Sequence, residues 1–167
     1  MCRRGPTGTA ETSCRPAFTL IEVLIVVVIL GVLASIVIPQ FADATGQSSK
    51  AVFAANLRHF AEAAQLHQFD TGEYPADGNS GQVPAGFEDY IDTAKWEAVT
   101  PIGGVWDAEN QDEGGYASAI GVVFNGTGQT RDDLFMRDID ALLDDGDLAT
   151  GVFRKIADDR YYFIVSP

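Results

Sequence analysis

The chain has 167 residues, with 24 Asp and Glu against 11 Lys and Arg, and a formal net charge of −13. So acidic a surface repels phosphate backbones and argues against nucleic-acid binding through the bulk surface. The length accommodates one domain with its own core. Both cysteines, Cys2 and Cys14, lie near the start, so no disulfide framework supports the rest.

Residues 1–17 carry Arg3, Arg4 and Arg15 against Glu11, a net charge of +2. The 21 residues Phe18–Ile38 are apolar apart from Glu22 and a few small polar side chains, and they are long enough to cross a bilayer. Basic residues ahead of such a run stay on the cytoplasmic side, which places the remainder outside. Glu22 is the anomaly. A bare carboxylate in a bilayer costs about 2.5–3.5 kcal/mol on insertion scales, so a plain anchor has no use for one. A secretory signal is cut after its apolar core, among small residues. Here the core runs on into Pro39 and Phe41, so cleavage is expected before it, between Ala17 and Phe18. That cut frees the Phe18 amine, a cation four residues from Glu22, and leaves 150 residues at a net charge of −15.

The segment Ala17-Phe18-Thr19-Leu20-Ile21-Glu22 resembles the prepilin cleavage motif of type IV pilins and type II secretion pseudopilins, with Ala17 where the family usually has glycine. The resemblance implies that a membrane peptidase cuts before Phe18 and methylates its amine. It also implies that Glu22 pairs with the amine of a neighbouring subunit. Gly31 and Pro39 stand where family members carry helix-loosening residues. The expected organisation is then a cleaved leader at 1–17, a membrane and filament-core helix at 18–40, and an amphipathic helix half with a pilin-like head at 41–167. The implied partners are further copies of the chain in a helical polymer, a prepilin peptidase, an inner-membrane assembly platform and minor pilins. The implied location is the bacterial inner membrane, single-pass with the head outside the cytoplasm, then a periplasmic or cell-surface filament. The function so implied is a structural subunit of a type IV pilus or related filament. The alternatives are a type II secretion pseudopilin and a membrane-tethered binding module that never polymerises.

Beyond Pro39 the helical pattern continues. Phe53, Leu57, Phe60 and Ala64 make one apolar stripe, with Lys50, Arg58, Glu62 and Gln65 off it. A continuous helix over Phe18–Phe69 would run about 78 Å at 1.5 Å per residue. Pro39 removes a backbone donor and crowds the preceding turn, so a kink or local loosening is expected there. Gly72 and Pro75 end the helix, and Phe69–Ala76 resembles the stretch that closes the long helix in many pseudopilins and related pilins. Residues 77–86 have loop composition. The spacing of Phe87, Tyr90, Ile91 and Ala94 predicts a short helix over Phe87–Val99. Strands are expected at Gly103–Asp107 and Tyr116–Phe124, and Pro101–Trp106 resembles head segments of some pilin-like proteins. Asn125-Gly126 signals a tight turn. A helix is expected over Asp132–Leu143, capped by Thr130 or Asp132, with Leu134, Phe135, Ile139, Leu142 and Leu143 on its apolar face. Gly151–Ile156 and Arg160–Val165 read as a hairpin joined by Ala157-Asp158-Asp159. The fold class is α+β, a long N-terminal helix packed on a small antiparallel sheet.

Three clusters are candidates for chemistry. Asp144, Asp145 and Asp147 flank Gly146, with Asp140 upstream, and offer a candidate calcium loop. The EF-hand spacing fails, because Leu143 and Ala141 precede where oxygen ligands are needed and Val152 stands where the closing acid belongs. The competing reading is an acidic turn that ends a helix. His59 and His67 are eight apart without a third ligand, which favours packing or solvated roles. Arg154, Lys155 and Arg160 read as a solvated strand face rather than a binding patch. Ser118 and Ser166 have no recognisable base partner, and no phosphate loop or metalloprotease motif is present. An enzyme is not expected, nor any cofactor beyond the calcium candidate.

Overall fold

The computed structural model describes residues 18–110 and 115–167. Helix α1 spans Leu20–Thr71 without a break, starting two residues after the expected Phe18 and ending two after the expected Phe69. The chain divides into two compact units, residues 1–42 and 43–167, and the boundary falls three residues past Pro39.

In the first unit, every described residue from 18 to 41 is exposed. The helix passes through Pro39 as a helix. Proline withholds the N–H that would bond the Ser35 carbonyl, and Ser35 Oγ donates to Val32 O at 2.7 Å, a local side-chain bond in the same turn.

In the second unit, the stripe Phe53, Leu57, Phe60 and Ala64 is fully buried. Its aromatic members set the packing. Phe53 stacks on Trp106 at 5.0 Å between ring centroids and 3° between planes, and Phe60 meets Trp96 and Trp106 edge-on at 5.0 and 4.9 Å. Such pairs add about 0.5–1.5 kcal/mol each beyond their buried area. Gly72 closes α1 in the left-handed conformation at φ 87°, and its N–H bonds Gln68 O. His67 secures the same end: it is buried, its Nδ1–H donates to Glu73 O at 2.8 Å, and its ring abuts Phe87 and Tyr90.

The sheet contains β1 Val105–Asn110, β2 Ser118–Val123, β3 Phe153–Ala157 and β4 Arg160–Ser166, ordered β1-β2-β4-β3 and antiparallel throughout. Residues alternate between its faces as the pleat requires. Trp106, Ala108, Ile120, Val122 and Tyr161 join the α1 stripe, while Ala119, Val123, Tyr162 and Ile164 form a second cluster with Tyr116. Gly121 is needed where β2 meets β4, because a Cβ there would stand 2.1 Å from Tyr161 O.

Two helices complete the unit. Instead of the expected helix over 87–99, residues 87–91 form turns and only α2, Thr93–Glu97, is helical, started by Asp92 as its cap. Phe87 and Trp96 are nonetheless buried. α3 spans Asp133–Leu143. Its cap is Asp132, whose carboxylate accepts from Phe135 N at 2.8 Å, whereas Thr130 bonds Asp159. Its apolar face is rotated from the expected one. Met136, Ile139 and Asp140 are buried, while Leu134 and Leu142 are exposed. Met136 and Ile139 pack into the core with the α1 stripe, while Lys50 Nζ reaches Asp138 at 2.5 Å and Arg58 donates to Leu142 O at 2.5 Å along the exposed edge.

Candidate functional site

Ala17, on the leader side of the expected cut, lies outside the described residues. Phe18 and Thr19 precede α1, and Phe18 is 79% exposed. Thr19 is the cap of the helix and Glu22 its third residue. The Thr19 N–H donates to Glu22 Oε2 at 3.4 Å, and the Glu22 N–H donates to Thr19 Oγ1 at 3.3 Å. This reciprocal pair is a capping box. Glu22 therefore combines two roles: its carboxylate satisfies a backbone donor at the helix start and sits beside the favourable N-terminal end of the helix dipole. Thr19 was legible in the sequence as the first member of Thr-x-x-Glu, a signal overshadowed by the apolar run.

Beyond that polar first turn, the first half of α1 exposes mostly apolar side chains. Its most hydrophobic 18-residue window has a mean hydropathy of 3.1 and no buried residue. Contiguous apolar exposure of this extent marks a surface covered by lipid or protein. A side chain added at Gly31 would meet nothing within 4 Å, so its own chain does not require a glycine there. Small residues of this kind let another helix approach closely.

The second site lies at the C-terminal end of α3. One oxygen from each of Asp140, Asp144 and Asp145 lies within 4.8 Å of the others. Asp140 is wholly buried and neither of its carboxylate oxygens has a hydrogen-bond donor in bonding geometry. Burial, and then the charges of Asp145, Asp144 and Asp147, push its pKa up to about 6, with the Gly146 N–H offsetting part of the rise. Asp144 accepts from Val152 N. Asp145 accepts from Asp147 N at 2.9 Å and from Thr150 Oγ1 at 2.8 Å, which hold its pKa low. Asp147 stands outside the three-carboxylate group and accepts from Ala149 N at 3.2 Å. Of the four acids around Gly146, the structure brings Asp140, Asp144 and Asp145 together and leaves Asp147 outside the group.

The remaining candidates have structural roles. His59 is exposed beside Glu62, and His67 clamps the end of α1. Lys155 bonds Asp133, Arg154 bonds Gly151 O, and Arg160 pairs with Glu109 and Asp107, so all three serve contacts within the head.

A long helix, apolar over its first half and begun by a capped glutamate, together with a four-stranded antiparallel sheet, defines a pilin-like protein. Residues 13–38 match the prokaryotic N-terminal methylation motif. The type II secretion system core protein G of Pseudomonas aeruginosa is 39% identical over 59 residues, 35% of this chain and 42% of that protein. The core proteins G of Klebsiella pneumoniae and Pectobacterium carotovorum are 34% identical over 58 residues and 32% over 59. Each match covers 35% of this chain, with 41% and 38% of those proteins. The chain thus spans about two fifths of the length of these relatives. The major type IV pilin of Clostridium difficile shares the fold, with a TM-score of 0.52 over 73% of this chain and 97% of that one, at 16% identity. The chain is thus similar in its N-terminal motif to type II secretion pseudopilins, and it shares the fold of a type IV pilin.

Proposed function

We propose that this protein is a structural, non-catalytic subunit of a pilus-like filament, cleaved between Ala17 and Phe18 and assembled through the first half of α1. The observation that carries the reading is Glu22, a carboxylate in the first turn of a helix whose next nineteen residues are all exposed and overwhelmingly apolar. Before assembly the apolar half holds the subunit in the inner membrane, with the head outside the cytoplasm. There the capping box gives the carboxylate a backbone donor, while no cation pairs with it among the described residues. Cleavage frees the Phe18 amine, which is then N-methylated. In the filament Glu22 pairs with the amine of an adjacent subunit. Out-of-register packing leaves that charge buried and unpaired, which costs about 3–5 kcal/mol for a broken buried pair. The same contact repeats head to tail and grows an open helix. Gly31 permits close helix approach, and the donor missing at Pro39 gives the helix a point at which to adapt.

Within this class, the secretion pseudopilin is the favoured second reading, because the relatives named above are type II secretion core proteins. The expected contacts are other copies of the chain, a prepilin peptidase, an inner-membrane assembly platform and minor pilins. The test is Glu22→Ala in the native host. Leader removal, read as the mass of the membrane-extracted subunit, should proceed, while electron microscopy of sheared material should show fibres lost. Normal fibres from the variant would overturn the pairing mechanism. In wild type, long surface fibres would identify a pilus and short periplasmic ones a pseudopilus, while no fibres under any expression level would leave the tethered binding module.

A further inference from the structure

We infer that residues 77–82 form a proton-sensitive strap, closed on β1 while the buried acidic group beneath it holds an extra proton and loosened when that proton leaves. The strap reads Asp-Gly-Asn-Ser-Gly-Gln, without one apolar side chain, and none of its residues is buried. β1 is an edge strand, and antiparallel pairing leaves alternate residues of an edge with backbone groups pointing outward. The strap takes up one of these: Gly81 N–H donates to Trp106 O at 2.7 Å. Next to it, Gln82 O accepts from Trp96 Nε1 at 2.8 Å, and Gln82 N–H donates to Asn79 O at 3.0 Å. A segment held by a few hydrogen bonds, with no apolar anchor, opens far more readily than the sheet behind it.

Beneath it, Asp107 and Glu109 are alternate residues of β1 and share the outer face of the sheet. Among the described residues, Arg160 and Tyr162 of β4 act on them from the sheet, and Asp77 and Ser80 from the strap. Fully ionised, three carboxylates face one guanidinium, and the Tyr162 hydroxyl has one proton for two acceptors. Given to Asp107, that proton leaves Glu109 to Arg160 alone. A proton taken from solvent onto Asp107 completes the chain: Asp107 donates to Tyr162, Tyr162 turns its own proton to Glu109, and Glu109 keeps Arg160. The Asp107 charge that repels Asp77 is then gone. Burial raises the pKa of both carboxyls, and the Asp77 charge adds to the rise. Ser80 opposes this at Asp107, because its hydroxyl favours the charged form. Opening the strap removes Asp77 and admits water, so the open state binds the proton more weakly. Closure is therefore favoured at low pH, and that contribution fades as pH rises through the closed-state value.

Hydrogen exchange of the full chain in detergent, read by mass spectrometry at about pH 5 and about pH 8, tests the strap once the intrinsic pH dependence of amide exchange is divided out. Protection over 77–83 should fall about tenfold between the two, as a tenfold difference in proton affinity produces, while β2 stays within about twofold. Asp77→Asn, at an exposed position, should keep most of its protection at the higher pH. Ser80→Ala should deepen the loss, because it removes the strap contact that favours the charged form. Asp107→Asn, whose side chain stays neutral, should be protected equally at both pH values. Wild-type protection that does not change with pH would overturn the strap. So would an undiminished loss in Asp77→Asn, or an equal loss over β2, which would mean that the whole head loosens. None of these readouts needs a filament, so failure here and failure of the assembly reading are distinguishable.

Discussion

At the level of single residues, the outer face of the sheet holds a second acidic group, and this one has its cation. Tyr162 OH donates to Asp107 Oδ2 at 2.5 Å and lies 3.3 Å from Glu109 Oε1, while Arg160 reaches Glu109 at 2.9 Å and Asp107 at 3.7 Å. Asp107 is almost fully buried, and that burial raises its pKa in spite of the Tyr162 and Ser80 hydrogen bonds and the Arg160 charge. Glu109 is raised by burial too, against the pull of Arg160. A carboxyl with a raised folded-state pKa contributes stability below its ordinary pKa, and that contribution is lost as pH rises through the folded value. Arg160 is what limits the loss toward neutrality. Arg160→Met should therefore cost about 1–3 kcal/mol at pH 7, less than a fully buried broken pair because Arg160 is 37% exposed. Near pH 4 the cost should shrink to below about 1 kcal/mol as Asp107 and Glu109 protonate. Urea unfolding of the full chain in detergent at the two pH values measures this. Equal losses at both would mean that Arg160 acts through the packing of its stem.

Among the elements, α3 shows what capping contributes and what the sequence could reveal. Its N-terminal donors are met by Asp132, and its C-terminal end has no basic residue of its own, so Arg58 of α1 donates to Leu142 O instead. Asp132→Ala should cost about 1 kcal/mol, the usual value of such a cap, with Asp132→Ser restoring most of it. Denaturant midpoints at constant slope would check both, and an unchanged midpoint for the alanine variant would show that packing alone holds the helix. The existence and limits of α3 were readable because Asp132, the periodic run and the following Gly146 are local signals. Its orientation was not readable. Leu134 and Leu142 were expected inside, yet Met136 and Ile139 pack into the core with the α1 stripe, and Lys50 and Arg58, 84 to 88 residues away in sequence, meet α3 along its exposed edge. The same limit explains the acidic turn. Spacing exposed the cluster, but which carboxylate is buried depends on how α3 rolls on α1. In 87–91, apolar spacing stood for turns rather than a helix, because Phe87 and Tyr90 are held by His67. By contrast, the α1 stripe is as read, and the terminal hairpin is present with β3 starting two residues later, at Phe153, and taking in Ala157 from the expected turn.

For the molecule as a whole, the two compact units separate the buried core from the exposed apolar run. No described residue between 18 and 41 is buried, and every buried core residue lies between Phe53 and Ile164. The core of residues 43–167 therefore owes nothing to the apolar run. In an isolated subunit that run is exposed surface awaiting lipid or other subunits. Residues 43–167 expressed alone should be a soluble monomer that unfolds in one cooperative transition. The mature chain in detergent should melt within about 3 °C of it, since sites without shared partners contribute independently. Sedimentation at high concentration should find no self-association in the fragment, because the heterologous contact that extends a filament has been removed. A fragment that unfolded without cooperativity would show that the head needs the first half of α1 to hold its core. One that folded and still polymerised would move the assembly contact from the helix to the head, and Glu22 would lose its place in the mechanism.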